Sequence, residues 1–435
     1  MKDRSQLPGL ENIRHFFVNL TSGCKNAYLV GGTVRDMLLG KDIIRDIDIA
    51  VDEAPFVFAK TFADKIKGAF IILHERYPTA RVVRKHQTFD FTKLRGSIYD
   101  DLKERDFTIN AMAVSLCEDS ENVIDITGGI SDLENKTIRM ISKENLLADP
   151  LRMLRAYRFA ANLNFNISTD TLDAIISLKN KINNAASERI LYELKETLNA
   201  KQAYHCVKSM EQTGLLFAIL PELMEDCAYN RNALDNTLET LKNLEAVLIN
   251  TAKIFPYSNG INRYLCSEPY QCALLKLSAL LKDTAPIKPI CLRLKMSVKD
   301  CELIGKIVLK YRGFLETADS ASVKLAPLLK EIGADVYGII IVSSAVVQTK
   351  NPSSLERFLK FCNDLIMFYE EQYVLRLNGP KYINGEDLIN IFNLPPSPVF
   401  GKILEIVQDG ILEGRINSRE KALEEAAKFI ETKDG

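Results

Sequence analysis

The stretch Leu29–Val51, LVGGTVRDMLLGKDIIRDIDIAV, constrains the fold more than any other part of this 435-residue chain. A short apolar run, Tyr28-Leu29-Val30, stops at Gly31-Gly32. Residues without a Cβ let a backbone bend tightly and approach a ligand closely. Thr33–Leu39 then carries a helical pattern and ends at Gly40, which suits a C-terminal cap. From Ile43 to Val51 the residues alternate, with Asp46 and Asp48 on one face and Ile47 and Ile49 on the other. Period two is the signature of a strand, so the stretch reads as strand, glycine turn, short helix, turn, strand.

Two carboxylates side by side on one strand face repel each other. A divalent cation relieves that repulsion, and Mg²⁺ favours carboxylates together with substrate phosphates. The glycine turn and the start of the helix offer backbone N–H groups for phosphate. Arg35 adds charge-assisted hydrogen bonds. Together these residues describe nucleotidyl transfer, with Asp46 and Asp48 as metal ligands and Gly31, Gly32 and Arg35 as a triphosphate cradle.

The stretch resembles the signature of the class II tRNA nucleotidyltransferase and bacterial poly(A) polymerase family, a branch of the polymerase-β-type nucleotidyltransferases. The resemblance is strong over residues 27–225 and weaker beyond. It implies an α+β protein: a polymerase-β-type head with a small mixed sheet, followed by an all-α neck, body and tail. The expected divisions are 1–140 for the catalytic head, 141–200 for a base-recognising neck, 201–290 for a helical body and 291–435 for a tRNA-binding tail.

Composition is compatible with this. The length predicts two to four domains. No apolar run looks long enough to span a membrane, and MKDRSQLPGL does not read as a signal peptide. Nine cysteines without CxxC spacing predict reduced thiols and a cytoplasmic protein, with neither a disulfide framework nor a zinc site. The formal net charge of −1 neither supports nor excludes a nucleic-acid partner, which needs only a local basic face.

In chain order, residues 1–27 read as a leader helix carrying Ile13, Phe16, Phe17 and Leu20 on one face. A helix over Phe56–Lys67 precedes strands at Ala69–Leu73, Thr79–Arg84 and Thr88–Leu94. The family places a third carboxylate in the last of these, ahead of an Arg-Gly pair, here Arg95-Gly96. Asp90 is therefore the candidate third carboxylate, to assist deprotonation of the attacking hydroxyl or to complete the metal site.

The segment Arg105-Asp106-Phe107-Thr108-Ile109-Asn110-Ala111-Met112 resembles a family motif almost letter for letter. Read as a helix, it puts Asp106 and Asn110 on one face for a ribose and its phosphates, with Arg105 on the phosphates. Glu104 stands where the family often has a second Arg. Only nine residues separate Arg95 from Arg105. Relatives that build the whole CCA end usually carry a longer flexible loop there, so the short connection leans toward CC addition.

Asp149-Pro150-Leu151-Arg152 reads as an N-cap and the first helical turn. In the family, this Asp and the Arg three residues later hydrogen-bond the Watson–Crick edge of the incoming base. Arg offers only donors and ionised Asp only acceptors, a pattern that fits both cytosine and adenine. Arg155, further round the helix, is expected on nearby phosphate, and Arg158, about half a turn away, is the last member of the nucleotide-binding set. Ser187–Leu194 resembles a buttressing helix, with Glu188 and Arg189 structural, orienting Arg152 or the helix junction. Lys282-Asp283 replaces a His-Asp pair found in some relatives, which predicts a degenerate phosphohydrolase remnant, since Lys cannot replace a His ligand. Leu292–Arg312 carries a local excess of basic residues and reads as a tRNA-backbone candidate.

The resemblance thus implies a template-independent, Mg²⁺-dependent enzyme adding C, A or both to the tRNA 3′ end from CTP and ATP. The alternatives are a poly(A) polymerase of the same family and an inactive RNA-binding relative.

Overall fold

The computed structural model describes residues 13–14, 17, 26–41, 44–52, 54–75, 77–117, 122–224, 231–284, 286–320 and 323–434. The chain forms two compact units. One comprises Met1–Thr197 with His205–Ile219, the other Leu198–Tyr204 with Leu220–Gly435.

The first unit is built on seven described strands: β1 (Ala27–Val30), β2 (Asp46–Val51), β3 (Ala69–His74), β4 (Thr79–Arg84), β5 (Gln87–Lys93), β6 (Met112–Ser115) and β7 (Val123–Asp125). Their order is β3-β4-β5-β2-β1-β6-β7. The β2–β5 pair is parallel and the other pairs are antiparallel, so the sheet is mixed as expected. Parallel pairing needs a crossover. It runs through helix α2 (Pro55–Ile66), which follows the shorter α1 (Gly32–Leu38) in the chain. Phe62 of α2 packs on Phe89 and Phe91 of β5, with centroids 4.8 and 5.3 Å apart. Aromatic burial on one face of the sheet leaves the polar residues of β2 and β5 for the other.

Of the expected leader helix, Ile13, Arg14 and Phe17 are helical, and Ile13 and Phe17 are buried in this core. Phe16 and Leu20 lie outside the described residues.

The Arg105–Met112 segment is not the helix read from its spacing. Helix α3 (Ile98–Lys103) ends before it, and the chain makes only a 3₁₀ turn at Thr108–Asn110 before β6. Its backbone is tied elsewhere: Thr108 N–H donates to Arg139 O at 3.0 Å, and the Asp106 carboxylate accepts from Phe107 N–H at 2.8 Å. A side chain that caps its own backbone competes with the helical ladder.

The rest of this unit is helical apart from short strands at Thr137–Ile138 and Asn166–Ile167. Helices α4 (Lys143–Ala148), α5 (Arg152–Leu163) and α6 (Ser187–Asn199) carry the remaining site residues. Helix α5 starts two residues later than the sequence suggested. Asp149 closes α4, then caps a turn by accepting from Leu151 N–H at 3.3 Å, while Arg152 N–H donates to Asp149 O at 3.0 Å.

The second unit packs α7 (Arg231–Ile249), α8 (Gln271–Leu280) and α9 (Val298–Ala318) around α10 (Val336–Lys350). Against the sequence expectation, Leu325–Lys350 is long and apolar enough by composition to cross a membrane; about two thirds of its most apolar window is buried inside the unit, as a core helix would be. Residues 383–426 enclose a separate small core. The basic excess of Leu292–Arg312 is answered by distant acids: Arg293 pairs with Glu222, Lys299 with Glu268, Lys306 with Asp335 and Arg312 with Asp283. Four of the six basic residues of the tRNA-backbone candidate are thus paired with acids from outside the segment.

Candidate active site

Strand β2 presents Asp46 exposed and Asp48 partly buried, with Ile47 and Ile49 buried behind them. In the parallel register with β5, Asp46 lies opposite Thr88 and Asp48 opposite Asp90. All three candidate carboxylates therefore meet on adjacent strands. The Thr88 hydroxyl donates to Asp46 Oδ1. Thr33, at the start of α1, accepts from Asp48 N–H at 2.7 Å and so pins the helix onto β2.

Gly31 has φ +66°, and a Cβ there would stand 2.8 Å from Arg105 Nη1 and 3.4 Å from Asp48 Oδ2. The glycine is required both for the backbone angle and for the close approach of an arginine and a carboxylate. At Gly32 a Cβ would lie 3.4 Å from Arg35 Nη2. Gly31, Gly32, Arg35, Arg105 and Asp48 thus converge.

Burial pushes the Asp48 carboxyl up to about 6; Arg105 opposes the rise, while Asp90 and Asp46 add to it. A carboxylate destabilised by burial and by two acidic neighbours is a donor set that calls for a cation. Asp46 and Asp48 fit Mg²⁺ as a pair on that chemistry; among the described residues no group of three or more His, Cys, Asp and Glu is arranged to hold a metal, the trio with Asp90 included. Asp90 is more constrained than its place in the sequence suggested. Arg81 Nε and Nη2 grip its two oxygens, each at 2.7 Å.

A polar chain runs from α1 to α5. Arg35 Nη1 donates to Asn110 Oδ1 at 2.8 Å, and Asn110 Nδ2 donates to Asp106 Oδ1 at 3.1 Å. Arg155 then holds Asp106 Oδ2 through Nε at 2.8 Å and Nη2 at 2.7 Å. Burial alone would raise the Asp106 carboxyl, but Arg155, Asn110 and the Phe107 N–H hold it below the usual carboxylate range. Glu193 of α6, buried, lies 3.6 Å from Arg155 Nη1 and 2.9 Å from Arg158 Nε. Burial pushes the Glu193 carboxyl up, against the pull of both arginines. Asp106 and Asn110 do share one site, although no helix aligns them.

Arg105 and Arg152 line a cavity of about 340 Å³ together with Tyr77, Arg95, Asp101 and Glu104. Arg105 is braced on Asp101 at 2.9 Å. Arg152 Nη1 donates to the carbonyls of Arg105 and Asn145, at 3.2 and 3.3 Å, and burial lowers its pKa. Arg189 does not orient Arg152. Its Nη2 donates to Asp149 Oδ2 at 3.2 Å, so it braces the acidic member of the pair.

Sequence reading missed Thr33, Arg81 and Glu193. Arg81 had a signal: the two-residue turn at Lys85-His86 fixes the β4–β5 register and places Arg81 opposite Asp90. Glu193 had none, since its partners lie on a different helix.

Comparison with known proteins extends these observations. The model of the poly(A) polymerase head domain matches residues 27–139, and that of the RNA- and SrmB-binding site of polymerase A matches residues 164–227. A CC-adding tRNA nucleotidyltransferase from Geobacter sulfurreducens is 30% identical over 417 residues, covering 92% of this chain and 91% of the relative. One from Synechocystis sp. is 28% identical over 403 residues, covering 91% and 92%. A solved CCA-adding enzyme in complex with ATP superposes with a TM-score of 0.74 at 23% identity, covering 98% of this chain and 95% of that one, which establishes a shared fold.

Proposed function

The chain belongs to the tRNA nucleotidyltransferase family, and from that premise we infer that it is a template-independent enzyme extending the 3′ end of tRNA with C, A or both. The observation that carries the reading is the convergence of Asp46, Asp48 and Asp90 on two parallel strands beside the Gly31-Gly32 turn. We read residues 1–140 as the catalytic head, 141–200 as the neck, 201–290 as the body and 291–435 as the tail, with the enzyme working in the cytoplasm.

The incoming triphosphate lies against Gly31, Gly32, Arg35, Arg105, Arg155 and Arg158, whose guanidinium groups neutralise its charge. Asp106 and Asn110 face the ribose. Asp149 accepts from the exocyclic amino group of cytosine or adenine, and Arg152 donates to the ring nitrogen beside it. With Arg189 on Asp149 and two carbonyls on Arg152, both reading groups are held before the base arrives. Asp46 and Asp48 would hold Mg²⁺, which when bound would supply Lewis-acid polarisation of the α-phosphate and acidify the attacking hydroxyl. The tRNA 3′ oxygen bonds to the α-phosphorus and its proton passes to Asp90. The bond from the α-phosphorus to the bridging oxygen breaks, and its electron pair leaves with pyrophosphate.

We assign CC addition as the specificity. Only Leu94–Ser97 connects β5 to α3, and a reciprocal capping box between Ser97 and Asp100 closes that connection tightly. This leaves no long loop of the sort expected in enzymes that switch from C to A.

The test is incorporation into tRNA ending before CCA, with CTP, ATP or both, read by sequencing. The expected product gains two cytidines and no adenosine. A full CCA end refutes the specificity, and long A-tracts support a poly(A) polymerase instead. Failure of wild-type protein to incorporate either nucleotide with Mg²⁺ present refutes the activity. Asp46→Ala should abolish incorporation with the fold intact.

A further inference from the structure

The ring of Phe159, on α5, is the meeting point of three guanidinium groups. Arg35 lies 5.3 Å from its centroid, Arg155 5.2 Å and Arg158 4.6 Å. Two of these arginines share the helix with Phe159, but Arg35 comes from α1, in the head. The ring is itself held by Phe107, edge-on at 5.8 Å and 82°. Phe107 is fully buried, whereas Phe159 is only partly so.

Three like charges around one ring repel each other. Two features of the structure counter this. Each arginine has a carboxylate behind it: Asp36 for Arg35 at 2.9 Å, Asp106 for Arg155 at 2.7 Å and Glu193 for Arg158 at 2.9 Å. The ring in the middle attracts all three through the negative potential of its π face. The carboxylates link the arginines only in part: Glu193 also lies 3.6 Å from Arg155 Nη1, and Asn110 joins Arg35 to Asp106. Only the aromatic ring is common to all three, so it fixes their spacing relative to one another.

We propose that Phe159 is a positioning residue that holds Arg35, Arg155 and Arg158 as one platform for the triphosphate of the incoming nucleotide. This rests on the reading of those arginines as phosphate ligands, and it adds what sets their geometry. A polyphosphate needs several cations at a fixed separation. Without a contact common to all three, the guanidinium groups would keep more freedom relative to one another, and binding would carry the cost of ordering them. An apolar side chain of similar volume would fill the space under the arginines without attracting them.

The experiment uses the full chain as Phe159→Leu, Phe159→Met and Phe159→Tyr, with inorganic tripolyphosphate, cytidine and CTP as probes. Leu and Met keep apolar bulk and remove the π face; Tyr keeps the face. For Leu and Met, the Kd of tripolyphosphate and the KM for CTP should rise roughly tenfold, while kcat falls less, since the interaction exists before the transition state. Cytidine binding should not change, and Phe159→Tyr should stay within about twofold of wild type. Having two aliphatic variants keeps the comparison available if one fails to fold, and thermal unfolding identifies that case. Wild-type tripolyphosphate affinity in a folded Leu or Met variant overturns the proposal. So does a Tyr variant as impaired as Leu, or an equal loss of cytidine and tripolyphosphate binding, which would mark a packing defect. If wild-type protein fails to extend tRNA, the proposed activity falls, while the tripolyphosphate comparison still decides the role of Phe159.

Discussion

Asp106→Asn is the perturbation that most directly tests how α5 is joined to the seven-stranded sheet and its loops. The Asp106 carboxylate is 6% exposed and receives four donors: Phe107 N–H, Asn110 Nδ2, and Nε and Nη2 of Arg155. Asn preserves its shape but replaces one oxygen by an NH₂ group. That group meets a donor from Arg155 or Asn110 whichever way the amide turns. Removing one partner of a buried ion pair costs about 3–5 kcal/mol, because the other charge is left unpaired. Arg155 is 32% exposed and retains Glu193 at 3.6 Å, so the lower part of that range applies. A loss of about 3 kcal/mol in a unit of roughly 200 residues lowers its Tm by about 6–12 °C.

Arg155→Met should cost less, since Asp106 keeps Asn110 and the Phe107 N–H. A double-mutant cycle of the two should return a coupling energy of at least about 1.5 kcal/mol. The pH dependence has a definite sign. The folded carboxyl titrates below its unfolded value of about 3.9, so its stabilisation is complete above that pH and is lost as pH falls through the lower, folded value. The gap in Tm between wild type and Asp106→Asn should therefore narrow as pH drops from 6 toward 3. The assay is thermal unfolding followed by circular dichroism across that range. A coupling energy near zero, or a gap that widens on acidification, would refute the argument.

Gly31→Ala forces a Cβ onto a backbone at φ +66° and to within 2.8 Å of Arg105 Nη1. It should raise the KM for CTP at least tenfold, and an unchanged KM would count against the cradle. In the second unit, Lys282 has a fully buried side chain contacting Asp283 at 2.6 Å and Thr237 at 2.9 Å. Asp283→Asn should cost about 3 kcal/mol, whereas Lys282→Met should cost about 1 kcal/mol or less, because Asp283 keeps Tyr311 and Arg312. Burial already lowers the Lys282 pKa against the pull of Asp283, so in Asp283→Asn stability should rise between pH 7 and 10 as the amine loses its proton. Equal melting temperatures for the two variants would contradict this assignment. Chelation with EDTA should stop nucleotide incorporation and added Mg²⁺ should restore it; activity that survives EDTA would rule out the metal role of Asp46 and Asp48.

The sequence by itself determined the local architecture of the site. Alternation along β2 put Asp46 and Asp48 on one face with Ile47 and Ile49 behind them, because side chains of a strand point to opposite sides regardless of what surrounds it. The Gly31-Gly32 turn was equally legible, since few other residues tolerate that backbone. The mixed sheet followed by helices was readable from period and family motif together. Tertiary structure decided the partners. Asn110 meets Arg35 across 75 residues, and Arg155 meets Asp106 across 49. No periodicity encodes such distances. The same limit explains what two further segments did not reveal. Arg105–Met112 has helical spacing, but its backbone bonds to Arg139, far along the chain. Leu292–Arg312 is basic as a string of letters, yet four of its cations face acids supplied by other segments. Charge and hydrogen-bond pairing act through space over a few ångströms, whereas sequence patterns report only the geometry of a single element. What an element presents is written in its own residues; what it meets is settled by how the elements pack.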